Sequence, residues 1–105
     1  MTTIPAAIQR MVDATNSGDT DAFVASFTAD AYLVDWGREF HGREGVARWN
    51  ETDNIGKNAH FEAIATRAEG TTEVVTLVVS GGGYNGTGDI VFEIAGDLIS
   101  RMIIS

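Results

Sequence analysis

The sequence predicts one small α+β domain with a mainly antiparallel sheet. Three observations lead there. Apolar residues recur at helical spacing only in the first half of the chain, β-rich segments separated by turn residues fill the second half, and 105 residues suit a single core. The domain is expected to span residues 1–105, with no repeat, linker or low-complexity tract.

Ile4, Ala7, Ile8, Met11 and Val12 share one helical face, with Thr3 and Pro5 suited to the start and Asn16-Ser17-Gly18 to the end. Asp19 can cap a second, shorter helix in which Phe23 and Phe27 lie one turn apart. The β-formers from Ala31 to Trp36 lead through Gly37-Arg38 into Glu39-Phe40-His41, which predicts two short strands joined by a tight turn. A third helix is expected from Arg43 to Asn54, with Val46 and Trp49 on its apolar face, although Gly45 costs about 1 kcal/mol relative to alanine.

Four strands are then expected, over residues 58–69, 72–84, 87–95 and 98–104. Asn85-Gly86 suits a two-residue hairpin turn, because both residues tolerate positive φ. Pairing Tyr84 with Thr87 puts Val75, Leu77, Val79, Gly81 and Gly83 on the core face with Gly88, Ile90, Phe92 and Ile94. Glycines on that face remove side-chain volume, leaving either a cavity or room for the rings of Trp36 and Trp49.

Composition narrows the function classes. Hydrophobic residues make up 44% and charged residues 21%, as in folded domains. The net charge of −8 with scattered basic residues disfavours nucleic acid and anionic membrane surfaces. Without cysteine, this sequence has no disulfide, thiolate nucleophile or Cys-ligated zinc. No window approaches the length of a membrane span, and Met1-Thr2-Thr3-Ile4-Pro5 does not open a leader peptide, so a cytoplasmic protein is expected. No cofactor is expected either. The glycines between Gly81 and Gly88 match neither phosphate-loop pattern and are read as a bend in the sheet.

Asp35, between Val34 and Trp36 at the end of a short strand, is the ionisable residue with most chemical promise. A carboxylate among aromatic rings can act as a general base on carbon or on water, and burial would raise its pKa. The plainer alternative is a strand-end aspartate that caps a turn or pairs with Arg38. His41 and His60 stand far apart without a third residue at ligand spacing, so no metal site is expected. Phe23, Phe27, Tyr32, Trp36, Phe40, Trp49 and Phe61 form a large aromatic set, most of it core, with a subset free to line an apolar pocket.

The run from Ile8 through Asn16-Ser17-Gly18-Asp19, the segment Phe27-Thr28-Ala29-Asp30-Ala31 and the segment His41-Gly42-Arg43-Glu44-Gly45-Val46 together resemble the nuclear transport factor two-like superfamily, and its SnoaL-like branch in particular. That resemblance implies a cone-shaped fold in which a curved sheet wraps around three N-terminal helices. It leaves activity open, since members include ketosteroid isomerase, scytalone dehydratase, polyketide cyclases, epoxide hydrolases and non-catalytic binding domains. The run from Ala31 to Gly37 resembles the segment carrying the general-base aspartate of ketosteroid isomerase, which implies that role for Asp35. The oxyanion donors of that enzyme, a tyrosine and a protonated aspartate, are matched here by Met11 and Ile90, which cannot donate a hydrogen bond.

Two functions follow as expectations. One is a proton-transfer enzyme of isomerase, cyclase or hydrolase type, with Asp35 as base and Phe23, Phe27, Tyr32, Trp36, Phe40, His41, Trp49 and His60 as pocket residues for a small, largely apolar ligand. Tyr84 is a further polar helper. The other is a non-catalytic ligand-binding or dimerisation module of the same fold. A homodimer is expected through the outer sheet face, where Val78, Val91 and Tyr84 would lie.

Overall fold

The computed structural model describes residues 3–105, so Met1 and Thr2, which begin the segment read for a leader peptide, lie outside the described residues. Helix α1 (Ala6–Ser17) ends at Gly18, which adopts the left-handed conformation at φ 70° and returns its N–H to the carbonyls of Ala14 and Thr15. Helix α2 (Thr20–Ala25) is capped by Asp19, whose Oδ1 accepts the Ala22 N–H at 3.0 Å. Strands β1 (Phe27–Asp35) and β2 (Arg38–His41) form a hairpin, followed by α3 (Gly42–Asp53) and a 3₁₀ turn (Ile55–Lys57). Strands β3 (His60–Glu69), β4 (Thr72–Ser80), β5 (Gly86–Ala95) and β6 (Leu98–Ile104) complete the chain.

The six strands make one sheet in the order β2-β1-β6-β5-β4-β3. Every pairing is antiparallel except β1 with β6. The sheet curls without closing, and the three helices fill its inner face, giving the cone-shaped α+β architecture. Met11 from α1, Phe23 from α2, Val46 from α3 and Leu33, Leu77, Phe92 and Met102 from the sheet are buried together in one core.

Gly45 has a packing reason to be there. A Cβ at this position would stand 3.0 Å from the Phe40 carbonyl carbon, so its absence lets α3 lie directly on β2. The helical cost of glycine is offset by that close approach.

The β4–β5 connection differs from the hairpin expected at Asn85-Gly86. Val79, not Tyr84, pairs at the loop end, and it pairs with Gly86, leaving residues 81–85 as a loop. Asn85 folds back over that loop: its Nδ2 donates to the carbonyls of Gly81 (3.0 Å) and Gly83 (3.1 Å), and its Oδ1 accepts the Gly81 N–H. A side chain able to bond its own loop competes with the two-residue turn. The register moves by an even number of residues, so the faces expected for the residues still in β4 and β5 survive, while Gly81 and Gly83, expected on the core face, fall in the loop. Val75 stands opposite Ile90 and Leu77 opposite Gly88 on the inner face.

The outer face carries a row of aliphatic residues, Val34, Ile103, Val91 and Val74, directly paired across four neighbouring strands. Beside it run Tyr32, Arg101 and Glu93, with Arg101 over the Tyr32 ring at 5.1 Å and paired to Glu93 at 3.3 Å. Partial burial, and then the neighbouring Glu39 carboxylate, raise the Tyr32 pKa above its ordinary value. Val78 is on this face as expected, but Tyr84 lies in the loop instead. No helix is long and apolar enough to cross a membrane among the described residues.

Candidate functional site

The site is built around the end of β1. Strand alternation turns Leu33 and Asp35 to the inner face and Tyr32 and Val34 outward. The chain then reverses through Trp36 and Gly37, both with positive φ (51° and 83°), which brings Arg38 back opposite Asp35. A bulky residue pays for the left-handed conformation, so Trp36 is held in a strained position while its ring stays 71% exposed.

Asp35 is gripped from two sides through one oxygen. Its Oδ2 accepts Trp49 Nε1–H at 2.9 Å and meets Arg38 NH2 at 2.6 Å. Its side chain is only 13% exposed. Arg38 also reaches Asp53 at 3.3 Å, and Asp53 Oδ2 accepts the Thr52 hydroxyl at 2.9 Å. The hydrogen bond to Asp53 is the largest influence raising the Arg38 pKa above its ordinary value, with the Asp35 charge adding to it. The guanidinium therefore bridges two carboxylates, one from the β1–β2 hairpin and one from the end of α3.

These residues form one wall of a cavity of about 320 Å³, a volume within the range of small-molecule sites. Phe61, Leu77, Val79, Ile90 and Ile104 supply apolar lining. Gly88 on the inner face of β5 also lines it, as the expected thinning of side chains there would allow, while Gly83 reaches it from the loop and not from the strand face where it was expected. Tyr84 and Lys57 stand exposed at the rim. Beneath it, the buried Asn54 donates to Thr15 Oγ1 and Asn50 Oδ1, tying the end of α3 to α1.

Of the residues expected at the site, Asp35, Trp36 and Trp49 line this cavity, with the helper Tyr84. The other six do not. Phe23 and Phe27 are fully buried, with ring centroids 5.3 Å apart, and Phe23 stacks on Trp49 behind the cavity wall. Phe40 faces inward but is covered by α3 at Gly45. Tyr32 and His41 pair across the outer face with rings 5.0 Å apart. His60 is exposed at the start of β3, one residue before the inward-facing Phe61.

Strand alternation contains the signal for Tyr32 and His60, since each is an odd number of residues from an inward-facing neighbour. Asp53 and Lys57 carry no comparable signal. They reach the cavity because α3 stops at Asp53 and the 3₁₀ turn redirects the chain. Met11 is fully buried and Ile90 lines the cavity, so neither position places a hydrogen-bond donor there.

A curled sheet closing over three helices, with a carboxylate on one wall of an apolar cavity, places the protein among the nuclear transport factor two-like folds. Within that class the chain belongs to the SnoaL-like domain family, which residues 8–102 match. A candidate polyketide cyclase from Sinorhizobium meliloti is similar at 26% identity over 97% of this chain and 95% of that one, with a TM-score of 0.84. The Δ5-3-ketosteroid isomerase from Mycobacterium sp. shares the fold at a TM-score of 0.78 and 19% identity, over 93% of this chain and 88% of that one. A Mycobacterium tuberculosis protein in complex with estradiol-17β-hemisuccinate shares it at 0.81 and 18%, over 96% of this chain and 92% of that one. No curated protein matches the chain in sequence.

Proposed function

We propose that this protein binds a small, largely apolar molecule in the cone and moves a proton on it, with Asp35 as the general base. The observation that carries this reading is the way Asp35 is held. Trp49 and Arg38 both bind Oδ2, and among the described residues no protein donor reaches Oδ1, which leaves that oxygen to take a proton. Fixed orientation of this kind lowers the cost of reaching the reactive geometry. The apolar wall suits a ring system, and the isomerase and steroid-bound neighbours support that class of ligand.

The test is turnover of small cyclic ketones, lactones and epoxides by the wild-type protein and by Asp35→Asn. Loss of turnover with binding retained supports the reading. Equal turnover by both proteins contradicts it.

The alternative, a binding module without catalysis, draws on Met11 and Ile90, which offer no donor to a developing enolate oxygen. It expects the same ligands to bind with no reaction. In either case the assembly is a homodimer through the outer sheet face, where the half-buried Val34, Ile103 and Val91 would meet their copies and the flanking Arg101 and Glu93 offer charges of both signs to a two-fold partner.

A further inference from the structure

Lys57 is the only lysine in the chain. Among the described residues it is also the one Lys or Arg whose side chain makes neither a hydrogen bond nor an ion pair. Arg38, Arg48, Arg67 and Arg101 meet carboxylates, while Arg10 and Arg43 donate to backbone carbonyls. In a protein with a net charge of −8, this unpaired lysine also lines the cavity.

Its position is fixed by local structure. The Lys57 carbonyl accepts the Gly82 N–H at 2.8 Å, which docks the glycine loop onto the 3₁₀ turn. A Cβ on Gly83 would lie 3.3 Å from Lys57 Cβ and 3.4 Å from Cγ, so glycine there leaves room for the lysine stem. Both residues line the cavity.

The acidic side chains nearby are already engaged. Asp35 is held by Trp49 and Arg38, and Asp53 by Arg38 and Thr52. Asp89, which also lines the cavity, meets Thr76 at 2.6 Å and Arg67 at 3.6 Å. Among the charged side chains that line the cavity, Lys57 is the one that makes no hydrogen bond or ion pair. The cavity also presents Phe61, Leu77 and Ile90, which favour an apolar body.

We infer that the ligand is an amphipathic monoanion: a compact apolar body inside the cone, with one carboxylate at the rim on Lys57. This rests on the pocket reading above and adds the charge class of the ligand. The overall negative charge opposes approach of an anion from a distance, so the attraction is local and acts on residence more than on encounter.

Both tryptophans of the chain, Trp36 and Trp49, line the cavity, so intrinsic fluorescence reports its occupancy. The experiment titrates three probes that share one apolar body: cyclohexylbutyrate, its neutral amide and the corresponding cyclohexylbutylamine. The carboxylate is expected to bind about five- to tenfold more tightly than the amide, the strength of a partly exposed charged contact. Lys57→Met lowers the affinity for the acid more than that for the amide and so removes the preference, and Lys57→Arg retains it. Equal affinity for acid and amide, tighter binding of the amine, or indifference of the acid to Lys57→Met overturns the inference while leaving the pocket intact. Failure of all three probes to bind removes the pocket reading, and the inference with it.

Discussion

The indole Nε1–H of Trp49 donates to Asp35 Oδ2 at 2.9 Å, joining the middle of α3 to the end of β1 across the wall of the cavity. Trp49 is 4% exposed and stacks on Phe23, so its ring is set by the core before it meets the carboxylate. Core packing is thereby coupled to the orientation of the one acid that the proposed chemistry uses.

Trp49→Phe keeps an aromatic ring but removes the donor. A loss of roughly 2 kcal/mol is expected from the charged hydrogen bond and the vacated volume. Urea unfolding should show a lower midpoint with an unchanged slope, the sign of altered stability rather than altered compactness.

Trp36→Asn should act in the opposite direction on stability. Asparagine tolerates the φ of 51° that tryptophan is forced into, and a gain of about 1 kcal/mol is expected in thermal unfolding. Ligand affinity should fall, because the ring at the rim is lost. A variant that is both more stable and weaker in binding identifies Trp36 as strained for function.

Gly45→Ala tests the helix–strand contact. Helix propensity alone expects stabilisation by about 1 kcal/mol. The Cβ would meet the Phe40 backbone at 3.0 Å, so destabilisation of about 1–3 kcal/mol by overpacking is expected instead. The sign of the change in chemical denaturation decides between them.

Val91→Asp tests the assembly. Val91 sits within the aliphatic row between Ile103 and Val74, and a charge there should dissociate a sheet-face dimer without unfolding the chain. Sedimentation should show a dimer for the wild-type protein and a monomer for the variant. A monomeric wild-type protein at micromolar concentration contradicts the assembly.

The fold was legible where the signals were local. Helical spacing and the Asp19 cap placed α1 and the start of α2, and β6 matched the expected span from Leu98 to Ile104. Helix α2 stops at Ala25, however, and Phe27, expected one turn after Phe23 on that helix, opens β1 instead. The expected reversal at Gly37 is present because the whole β1–β2 hairpin lies within a few residues. The β4–β5 loop was misread because the Asn85 side chain bonds three-dimensional neighbours that a dipeptide preference does not contain.

The site was half legible for the same reason. Asp35, Trp36 and Arg38 sit on one hairpin, whereas Asp53 and Lys57 arrive through the stop of α3. Phe23 and Phe27 show that aromatic content does not distinguish core from cavity wall. Phe23 on α2 stacks on Trp49, and Phe27, the first residue of β1, packs on Phe23, so both rings belong to the core.

The central claim is that Asp35 moves a proton on a bound ligand. Its most direct measurement is deuterium exchange at the α-carbon of β-tetralone in heavy water, followed by NMR for the wild-type protein and for Asp35→Asn. The account predicts saturable exchange with the wild-type protein and a loss of about a hundredfold or more in the variant, with ketone binding unchanged. Binding of the ketone without exchange above background, or equal exchange by both proteins, would contradict it.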